Sequence, residues 1–384
     1  MGKVLFISNC DPMGIGGGSF ATHAYVKAFS EVLGGDSYIL LPEEGSKDID
    51  ETIPVSKYIR VKRRNVFQKA LALITGDVQR YTNVVQKIVR NNQVDFTHAV
   101  CNSSMSSGAL VEFLHSQNIR VITVHHNFER EYFKDNPTVR CFKTLYAHHI
   151  AELEKKAYTK SDSNIFLTKE DQDRFETFYG KVDGRNVTLG VFEFKDIPPL
   201  PEQAKDKSVK PITFVITGQL CLDQGIDSVI YFLDELYQYI PKDCKIIIAG
   251  RNPSPIIEER CKNFPNISLV PNPKNMREVI LQGDIYICPT RMGGGLKLRV
   301  MDGLRLGLPV ITHVCSARGY DMFADLDFFQ TFRNQQEFSK SVNYLVELCK
   351  NNKIDKETIY SEYKKSFSYQ AGMERIKKIL HTTN

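Results

Sequence analysis

The sequence has no run of apolar residues as long as the roughly 20 that a membrane-spanning helix needs. Its first residues, MGKVLFISNCDP, contain too short an apolar stretch to act as a secretory signal. The chain has no long tract of lysine and arginine, and its net charge of +5 is too small to indicate nucleic-acid binding. These absences predict a protein that is soluble or peripheral to a membrane and that binds no nucleic acid.

The cysteines also lack any pattern that indicates disulfides or a metal site. There are nine of them, an odd number, and no two form a C-x-x-C pair. Several stand in apolar runs, where thiols pack as small hydrophobic groups, and no Cys/His cluster has zinc spacing. The Asp-x-Asp strings at 48–50 and 325–327 are interpreted as solvated turn acids. We therefore expect a cytoplasmic protein that holds no metal.

What the sequence does contain is a regular alternation of strand and helix patterns. In the first half, short apolar runs that end in polar residues are typical of buried parallel strands. They stand at residues 3–9, 37–42, 96–101 and 120–127, and a further one feeds a helix within residues 161–175. This alternation predicts a doubly wound parallel α/β sheet.

The same alternation restarts after a segment rich in Pro, Lys and Asp. We interpret residues 196–211 as a linker between two Rossmann-like domains, residues 1–195 and residues 212–360. Residues 361–384 are predicted to form a helix that packs back on the first domain. Ligands of such sheets bind beyond the carboxyl ends of the strands, so we expect the site in a cleft between two facing domains.

One segment of the second half, MGGGLKLRVMDGLRLGLPVITH, combines a bare backbone with fixed charges. A helix that begins near Leu296 or Lys297 exposes unpaired N–H groups at its start. Glycines such as Gly294 and Gly295 let a ligand approach the main chain closely. With the helix dipole these features suit a phosphate, to which Lys297 and Arg299 add charge-assisted hydrogen bonds.

A single acid, Asp302, stands five residues after Lys297 on the same predicted helix. A carboxylate that close to a phosphate is repelled by it, so Asp302 is better suited to accept hydrogen bonds from hydroxyls such as those of a ribose. The segment therefore favours a nucleotide diphosphate that carries a sugar. A plain strand–turn–helix with solvated charges is the alternative interpretation.

This segment resembles the donor-site signature of retaining glycosyltransferases of the GT-B fold, the family 4-like or group 1 glycosyl transferases. In that family the stretch often reads Gly-Gly-Gly-x-Arg/Lys-x-Lys-x-x-Glu-Ala, and here Asp302 takes the place of the Glu. Five other segments resemble family signatures in the family's order: GGGSFATHAYVKAF, VHHNFEREYF, ITGQLCLDQGID, SARGYD and SFSY. The resemblance places the chain in the Gly-Gly-Gly-x-Lys-x-Arg subclass and implies two facing Rossmann-like domains with an inter-domain cleft.

Three positions depart from the family pattern. Gln219 and Gln224 occupy the places of an Arg and a Lys that typically face the diphosphate. Gly294 falls where many members carry an acid that contacts the transferred sugar. Lys297 and Arg299 supply the positive charge that the two glutamines lack.

The resemblance implies a retaining, metal-independent enzyme that moves a sugar from a nucleotide-diphosphate sugar. The acceptor would be a glycan, a lipid-linked molecule or another group, and the setting envelope polysaccharide or glycoconjugate biosynthesis. No cofactor beyond the donor is implied, and a UDP-sugar is favoured over a GDP-sugar. In the usual proposal for this family, the leaving phosphate takes the acceptor proton on the same face of the sugar.

The resemblance also assigns roles to individual residues. His126 is expected to contact the transferred sugar. Its neighbour His125 is the alternative residue for this contact. Glu129 either positions a loop, contacts the acceptor or is a solvated carboxylate. The remaining expected site residues let the backbone approach phosphate or acceptor, bind the diphosphate or bind the ribose. These are Gly16, Gly17, Gly18, Gly218, Gly294, Gly295, Lys297, Arg299 and Asp302.

A basic segment at residues 56–74 stands apart from these motifs. It holds six cations beside several apolar residues, and such a segment can dock on anionic lipid at the inner face of a membrane. Its cations are Lys57, Arg60, Lys62, Arg63, Arg64 and Lys69. A solvated charged face is the alternative.

The sequence leaves two alternatives to glycosyltransferase activity. Gln219, Gln224 and Gly294 each replace a group expected to hold the donor, which fits a non-catalytic GT-B subunit that binds glycan or supports a catalytic partner. An epimerase or phosphorylase-like enzyme of the same shape is the second rival, but it needs more acids in the cleft than the sequence places there.

Overall fold

The structure is a computed structural model, which describes residues 3–14, 16–34, 37–45, 51–91, 94–131, 143–201 and 210–382. The chain divides into two compact units. The first unit extends to Asp196 and resumes at Ser368, and the second unit is Ile197–Phe367.

The first unit is built on a parallel sheet of seven strands in the order β3-β2-β1-β4-β5-β6-β7. The central strands are buried along almost their whole length, because helices cover both faces of a parallel sheet. The strands are β1 Lys3–Ile7, β2 Ser37–Pro42, β3 Lys57–Val61, β4 Phe96–Cys101, β5 Arg120–His125, β6 Ser163–Phe166 and β7 Asn186–Thr188.

Six helices in the described part of the first unit lie in the crossover connections between these strands. They are α1 Gly17–Val32, α2 Val66–Thr75, α3 Thr82–Arg90, α4 Ser104–Ser116, α5 Lys143–Lys160 and α6 Lys169–Tyr179. Local chemistry sets their ends: the Thr168 hydroxyl, for example, caps α6 by accepting a hydrogen bond from the Asp171 N–H at 3.1 Å.

The second unit repeats this design with six parallel strands in the order β10-β9-β8-β11-β12-β13. The helix Asp223–Tyr231 continues through one π-helical turn, Phe232–Leu236. The strands are β8 Thr213–Gln219, β9 Lys245–Arg251, β10 Ile267–Pro271, β11 Ile285–Cys288, β12 Val310–His313 and β13 Phe329–Phe332. The helices are α7 Asp223–Tyr231, α8 Pro255–Cys261, α9 Met276–Ile280, α10 Leu298–Leu304, α11 Gln335–Lys350 and α12 Lys356–Phe367.

The predicted fold class, two doubly wound parallel sheets, is confirmed. The sequence patterns missed three strands, β3, β7 and β13, and each of them lies at the edge of its sheet. An edge strand is covered on fewer sides, so it carries a weaker apolar run than a central strand. This explains why β3, with the sequence KYIRV, was interpreted only as part of a basic segment.

The chain end departs from the predicted single helix over residues 361–384. Two helices stand there, α12 and α13 (Tyr369–Thr382), and α12 belongs to the second unit. The break falls at Ser368, whose hydroxyl accepts a hydrogen bond from the Ala371 N–H at 3.2 Å and so starts a new helix. Helix α13 belongs to the first unit, where it packs on α1.

The segment predicted as a linker is described at 196–201 and 210–211. Two of its carbonyl groups are held by the second unit: that of Ile197 accepts from the Tyr360 hydroxyl at 3.0 Å, and that of Pro199 from the Arg277 guanidinium at 2.5 Å. This part of the segment therefore lies along the second unit. Across the described residues, no helix is long and apolar enough to cross a membrane.

Candidate active site

The glycine-rich loop of the second unit connects the end of β11 to helix α10. Helix α10 begins at Leu298, slightly later than predicted, because Lys297 has the extended backbone of an N-cap residue. Gly293 and Gly295 have φ angles of +88° and +64°. Residues other than glycine rarely adopt such positive φ angles. The loop thus needs glycine at these two positions for its own shape.

Lys297 turns its charge back onto this loop. Its side chain is largely buried, with 9% of the residue surface exposed, and Nζ donates a hydrogen bond to the carbonyl of Gly294 at 2.7 Å. The Tyr320 hydroxyl fixes the main chain from the other side by donating to the Lys297 carbonyl at 2.8 Å. Burial lowers the pKa of Lys297 because the charged form loses solvation.

Arg299 lies against the end of the neighbouring strand β8. A Cβ atom on Gly218 would stand 2.7 Å from Cζ of Arg299, so glycine is what lets the guanidinium approach the main chain. Nη1 of Arg299 also lies 3.3 Å from the Thr290 hydroxyl at the start of the loop. The structure therefore brings together Gly218, Lys297 and Arg299, which the sequence assigned to one site; their binding roles remain predictions.

Gln224 is a contact of this loop that sequence reasoning missed. Its amide nitrogen packs so closely on Gly293 that a side chain at residue 293 would collide with it. Cys315, after β12, lies beside the same residue, with Sγ 3.6 Å from the Gly293 carbonyl. The Gln224 side chain carries no charge, but its amide nitrogen places a hydrogen-bond donor beside the loop.

Asp302 stands on α10 and is partly buried. One of its carboxylate oxygens accepts a hydrogen bond from the Arg305 guanidinium, one turn further along the helix. Burial raises the pKa of Asp302, and the charges of Arg305 and Arg299 oppose that rise. The three-residue spacing of Asp302 and Arg305 is visible in the sequence and could have indicated this ion pair.

The glycines of the first unit, Gly16, Gly17 and Gly18, differ from one another in their surroundings. Gly16 has a φ angle of +121°, and no described atom lies within 4 Å of the place a Cβ would take. Helix α1 begins at Gly17. Gly18 is packed, since a Cβ there would stand 2.9 Å from Sγ of Cys10. Gly16 and Gly17 are exposed, whereas Gly18 packs against Cys10.

The two neighbouring histidines after β5 have different environments. His125 is fully buried and stacked on Phe166 at 4.9 Å, and its ring nitrogens lie 2.9 Å from the Ser104 hydroxyl and 3.0 Å from Oδ1 of Asn164. His126 is half-buried, and its Nε2 lies 2.7 Å from Oδ1 of Asn102. His125 is therefore a structural residue, and His126 is the one that can meet a ligand.

Glu129 is buried, which excludes its interpretation as a solvated carboxylate. It is 7% exposed and lies beside a second buried acid, Glu154, which accepts the Glu129 N–H at 2.5 Å and the Tyr179 hydroxyl at 2.8 Å. Burial, with the charge of the other acid, raises the pKa of Glu129 to about 8. Burial raises the pKa of Glu154 to about 7.

No group of three or more His, Cys, Asp or Glu side chains could hold a metal ion in the part of the chain that the structure describes. Of the Asp-x-Asp strings 48–50 and 325–327, the first lies outside the described residues. In the other string, Asp327 accepts a hydrogen bond from the Tyr344 hydroxyl at 2.7 Å.

The second unit, which carries this loop and its cations, is similar in sequence to a known protein family. Residues 211–347 match the sequence model of the family Glycosyl transferases group 1. The predicted class of enzyme, a glycosyltransferase, is confirmed by this domain.

Solved structures with the same fold span the whole chain. The lipopolysaccharide outer core galactosyltransferase WaaB is 10% identical, with a TM-score of 0.67 and coverage of 100% of both chains. Alr3699/HepE of Anabaena, solved in complex with UDP, is 11% identical, with a TM-score of 0.68 and coverage of 99% of this chain and 100% of its own. Sucrose-phosphate synthase from Thermosynechococcus elongatus is 11% identical, with a TM-score of 0.71 and coverage of 99% and 98%. These similarities show the GT-B fold.

A curated relative in Klebsiella pneumoniae is described as an uncharacterized 44.6 kDa protein in the cps region. It is 22% identical over 299 residues, which cover 72% of each chain.

Proposed function

We propose that this chain is a retaining glycosyltransferase of the Gly-Gly-Gly-x-Lys-x-Arg subclass that works without a metal. It moves a sugar from a nucleotide-diphosphate donor, a UDP-sugar rather than a GDP-sugar, to a glycan or lipid-linked acceptor in polysaccharide biosynthesis. The observation that carries the proposal is the cluster of Lys297, Arg299 and the glycine loop within a group 1 glycosyltransferase domain.

The relatives support the donor and the setting. The Anabaena protein is solved with UDP and with UDP-glucose. The Klebsiella relative lies in a cps region, and WaaB is a galactosyltransferase of the lipopolysaccharide outer core. The chain's own residues fit such a donor, because two fixed cations and an open glycine backbone suit a diphosphate.

In the proposed reaction, negative charge develops on the diphosphate as it leaves, and the enzyme must stabilise this charge. The bond between the anomeric carbon and the diphosphate oxygen breaks, and the acceptor oxygen bonds to that carbon on the same face. The acceptor proton passes to the leaving diphosphate. Lys297, Arg299 and the loop N–H groups stabilise the charge on the leaving group, Asp302 accepts from the ribose, and His126 contacts the transferred sugar.

A nucleotide panel tests this function. We would follow thermal unfolding with UDP, GDP, ADP, CMP and dTDP in the presence of EDTA, since a ligand of the native state raises its stability. UDP is expected to raise the Tm of the wild type and of a control with exposed lysines changed, Lys262→Met/Lys340→Met. It is expected to leave Lys297→Met/Arg299→Gln unshifted.

A folded wild type that no nucleotide stabilises at millimolar concentration contradicts the proposal. That result favours the non-catalytic subunit, which the loss of charge at Gln219 and Gln224 would then explain. A shift that appears only when a divalent metal is added contradicts metal independence while leaving donor binding intact.

Helix α2 supports a second part of the proposal, that the chain docks on an anionic membrane face, which we place on the cytoplasmic side. Asn65 caps the helix through a capping box with Gln68, and His149 holds its end by a 2.8 Å hydrogen bond to the Leu73 carbonyl. The opposite side is bare and apolar: Phe67 is 86% exposed, and other large apolar side chains lie beside it. These are Val66, Leu71 and Ile74.

The apolar face, rather than the basic run, carries this docking proposal. Within the described residues, four of the six cations of segment 56–74 stand beside acids, which reduces the charge left for lipid. The pairs are Arg60–Asp11, Lys62–Glu43, Arg63–Glu44 and Arg64–Asp77. A contiguous apolar helix face of this kind inserts into the boundary of a bilayer, and the remaining positive charge favours anionic lipid.

Vesicle flotation separates the two contributions. The wild type is expected to float with vesicles that contain phosphatidylglycerol, and Phe67→Ser/Ile74→Ser is expected to lose about tenfold in partitioning or more. A control that removes exposed apolar residues elsewhere, Ile256→Ser/Met322→Ser, is expected to float like the wild type. Equal flotation of all three proteins contradicts docking through α2.

A further inference from the structure

A buried amide, that of Asn102, connects the candidate sugar-contacting histidine to the glycine loop of the first unit. Asn102 directly follows strand β4 and is almost fully buried. Its Nδ2 lies 3.1 Å from the Ser8 hydroxyl and 2.6 Å from the Thr22 hydroxyl, and its Oδ1 lies 2.7 Å from Nε2 of His126. One side chain thus contacts the ends of β1 and β5 and helix α1.

The hydroxyl groups decide which way this amide points. The Thr22 hydroxyl donates its proton to the Gly18 carbonyl at 2.7 Å, and the Ser8 hydroxyl donates its proton to the Cys10 carbonyl at 2.8 Å. Both oxygens can therefore only accept from Asn102. The NH₂ group must face the two hydroxyls, and the amide oxygen must face His126.

The orientation of the amide in turn decides where His126 carries its proton. An amide oxygen has no hydrogen to give, so Nε2 of His126 must be the donor of their hydrogen bond. Burial lowers the pKa of His126 to about 4, so the ring is neutral near pH 7 and its other nitrogen, Nδ1, is unprotonated. Nδ1 has no hydrogen-bond partner among the described residues.

We infer that Asn102 is a positioning residue that holds His126 in the Nε2–H tautomer, so that Nδ1 presents a lone pair to a hydroxyl of the bound sugar. This inference rests on the proposed function for its ligand. The neighbouring histidine shows the contrast, because both nitrogens of His125 are occupied by Ser104 and Asn164 and none is left for a ligand.

The network also explains how the glycine loop and the histidine are kept in register. Gly18 lies at the start of α1, and its carbonyl accepts the Thr22 hydroxyl that in turn accepts from Asn102. A change at Asn102 therefore releases the ring of His126 and removes a support of the loop. A positioning defect of this kind is expected to lower kcat/KM by about 10- to 100-fold without changing the affinity for UDP.

Nitrogen NMR of the histidine side chains tests the tautomer without relying on activity. With ¹⁵N-labelled histidine at pH 7.5, the wild type is expected to show His126 protonated at Nε2 and unprotonated at Nδ1. In Asn102→Ala the ring is expected to become a mixture of tautomers. Asn164→Ala is the matched control, because it removes the same kind of bond from His125 and is expected to leave the signals of His126 unchanged.

The wild-type spectrum alone can overturn the inference, whether or not the variants fold. His126 protonated at Nδ1, or charged at pH 7.5, contradicts it, as does an unchanged His126 tautomer in folded Asn102→Ala. Addition of UDP-glucose, or of another UDP-sugar that raises the Tm, is expected to shift the Nδ1 resonance, whereas UDP alone is not.

These outcomes separate the inference from the proposed function. Binding of a UDP-sugar that leaves Nδ1 unmoved contradicts the ligand role of the lone pair, while the donor site stands. Failure of every nucleotide sugar to bind contradicts the proposed function and, with it, the ligand role. The tautomer result is decided independently in either case.

Discussion

The guanidinium of Arg299 lies against the main chain of Gly218, so closely that a Cβ on residue 218 would stand 2.7 Å from Cζ. This relationship joins the end of strand β8 to the helix after the glycine loop. It places a positive charge where the carboxyl ends of two parallel strands meet, which is where such sheets bind their ligands.

Gly218→Ala should therefore weaken UDP binding by displacing Arg299. We expect about a tenfold loss of affinity, the size of one charge-assisted hydrogen bond, measured by calorimetry. The loss should be non-additive with Arg299→Ala, since both changes remove the same interaction. If Gly218→Ala and Arg299→Ala reduce affinity independently, the two residues do not act through this contact.

Asp302→Ala should weaken binding of the ribose without weakening binding of the diphosphate. We expect the affinity for UDP to fall about tenfold, because a hydrogen bond to a hydroxyl is lost, and the affinity for inorganic diphosphate to stay the same. Arg305→Ala is the control, because it breaks the ion pair with Asp302 but leaves the carboxylate. Equal losses for UDP and diphosphate would show that Asp302 does not contact the ribose.

The grouping of the candidate site residues was predictable from sequence where they are close in the chain, and less so where they are distant; their binding roles remain predictions. Lys297, Arg299 and Asp302 stand within six residues of one another on a helix start, so spacing alone indicates a shared site. The contact of Gln224 with Gly293 joins helix α7 to the glycine-rich loop after β11, and these segments are distant in the chain. No local sequence pattern therefore indicates this contact. The fold followed the same rule: central strands are visible as apolar runs, whereas edge strands such as β3 are not.

Because ligands of parallel sheets bind beyond the carboxyl ends of the strands, one residue that the sequence analysis missed could have been found. Asn102 directly follows the apolar run of β4, at the same edge of the sheet as Ser8 and His126. A polar side chain there was visible in the sequence, but its partners were not. The choice between His125 and His126 needed the structure too, because only packing shows which ring is enclosed.

Glu129→Gln should stabilise the protein more at alkaline than at acidic pH. The folded pKa of about 8 lies above the ordinary value of 4.5, so the native state binds the extra proton and loses stability as the pH rises between these values. An amide does not titrate, so we expect the variant to gain about 1–3 kcal/mol in free energy of unfolding over the wild type at pH 8.5, and less at pH 6. Urea unfolding at the two pH values measures this difference.

Glu112→Gln provides the control for that measurement. Hydrogen bonds from Lys156 and Lys160 hold the pKa of Glu112 at about 2, so its carboxylate is charged at both pH values. A depressed pKa adds stability that is lost only as the pH falls through the acid range, and the effect of this variant should not change between pH 6 and pH 8.5. A pH-independent effect of Glu129→Gln would contradict the buried acid pair.

Donor turnover tests the central claim most directly. We would measure the hydrolysis of UDP-glucose, UDP-galactose and UDP-N-acetylglucosamine, in which water takes the place of the acceptor, as UDP released in the presence of EDTA. The proteins compared are the wild type, Lys297→Met/Arg299→Gln and the Lys262→Met/Lys340→Met control. We expect the wild type and the control to release UDP from at least one donor, and the loop variant to lose about 100-fold or more of this activity. No release by a wild type that binds UDP, or equal release by the loop variant, would contradict it.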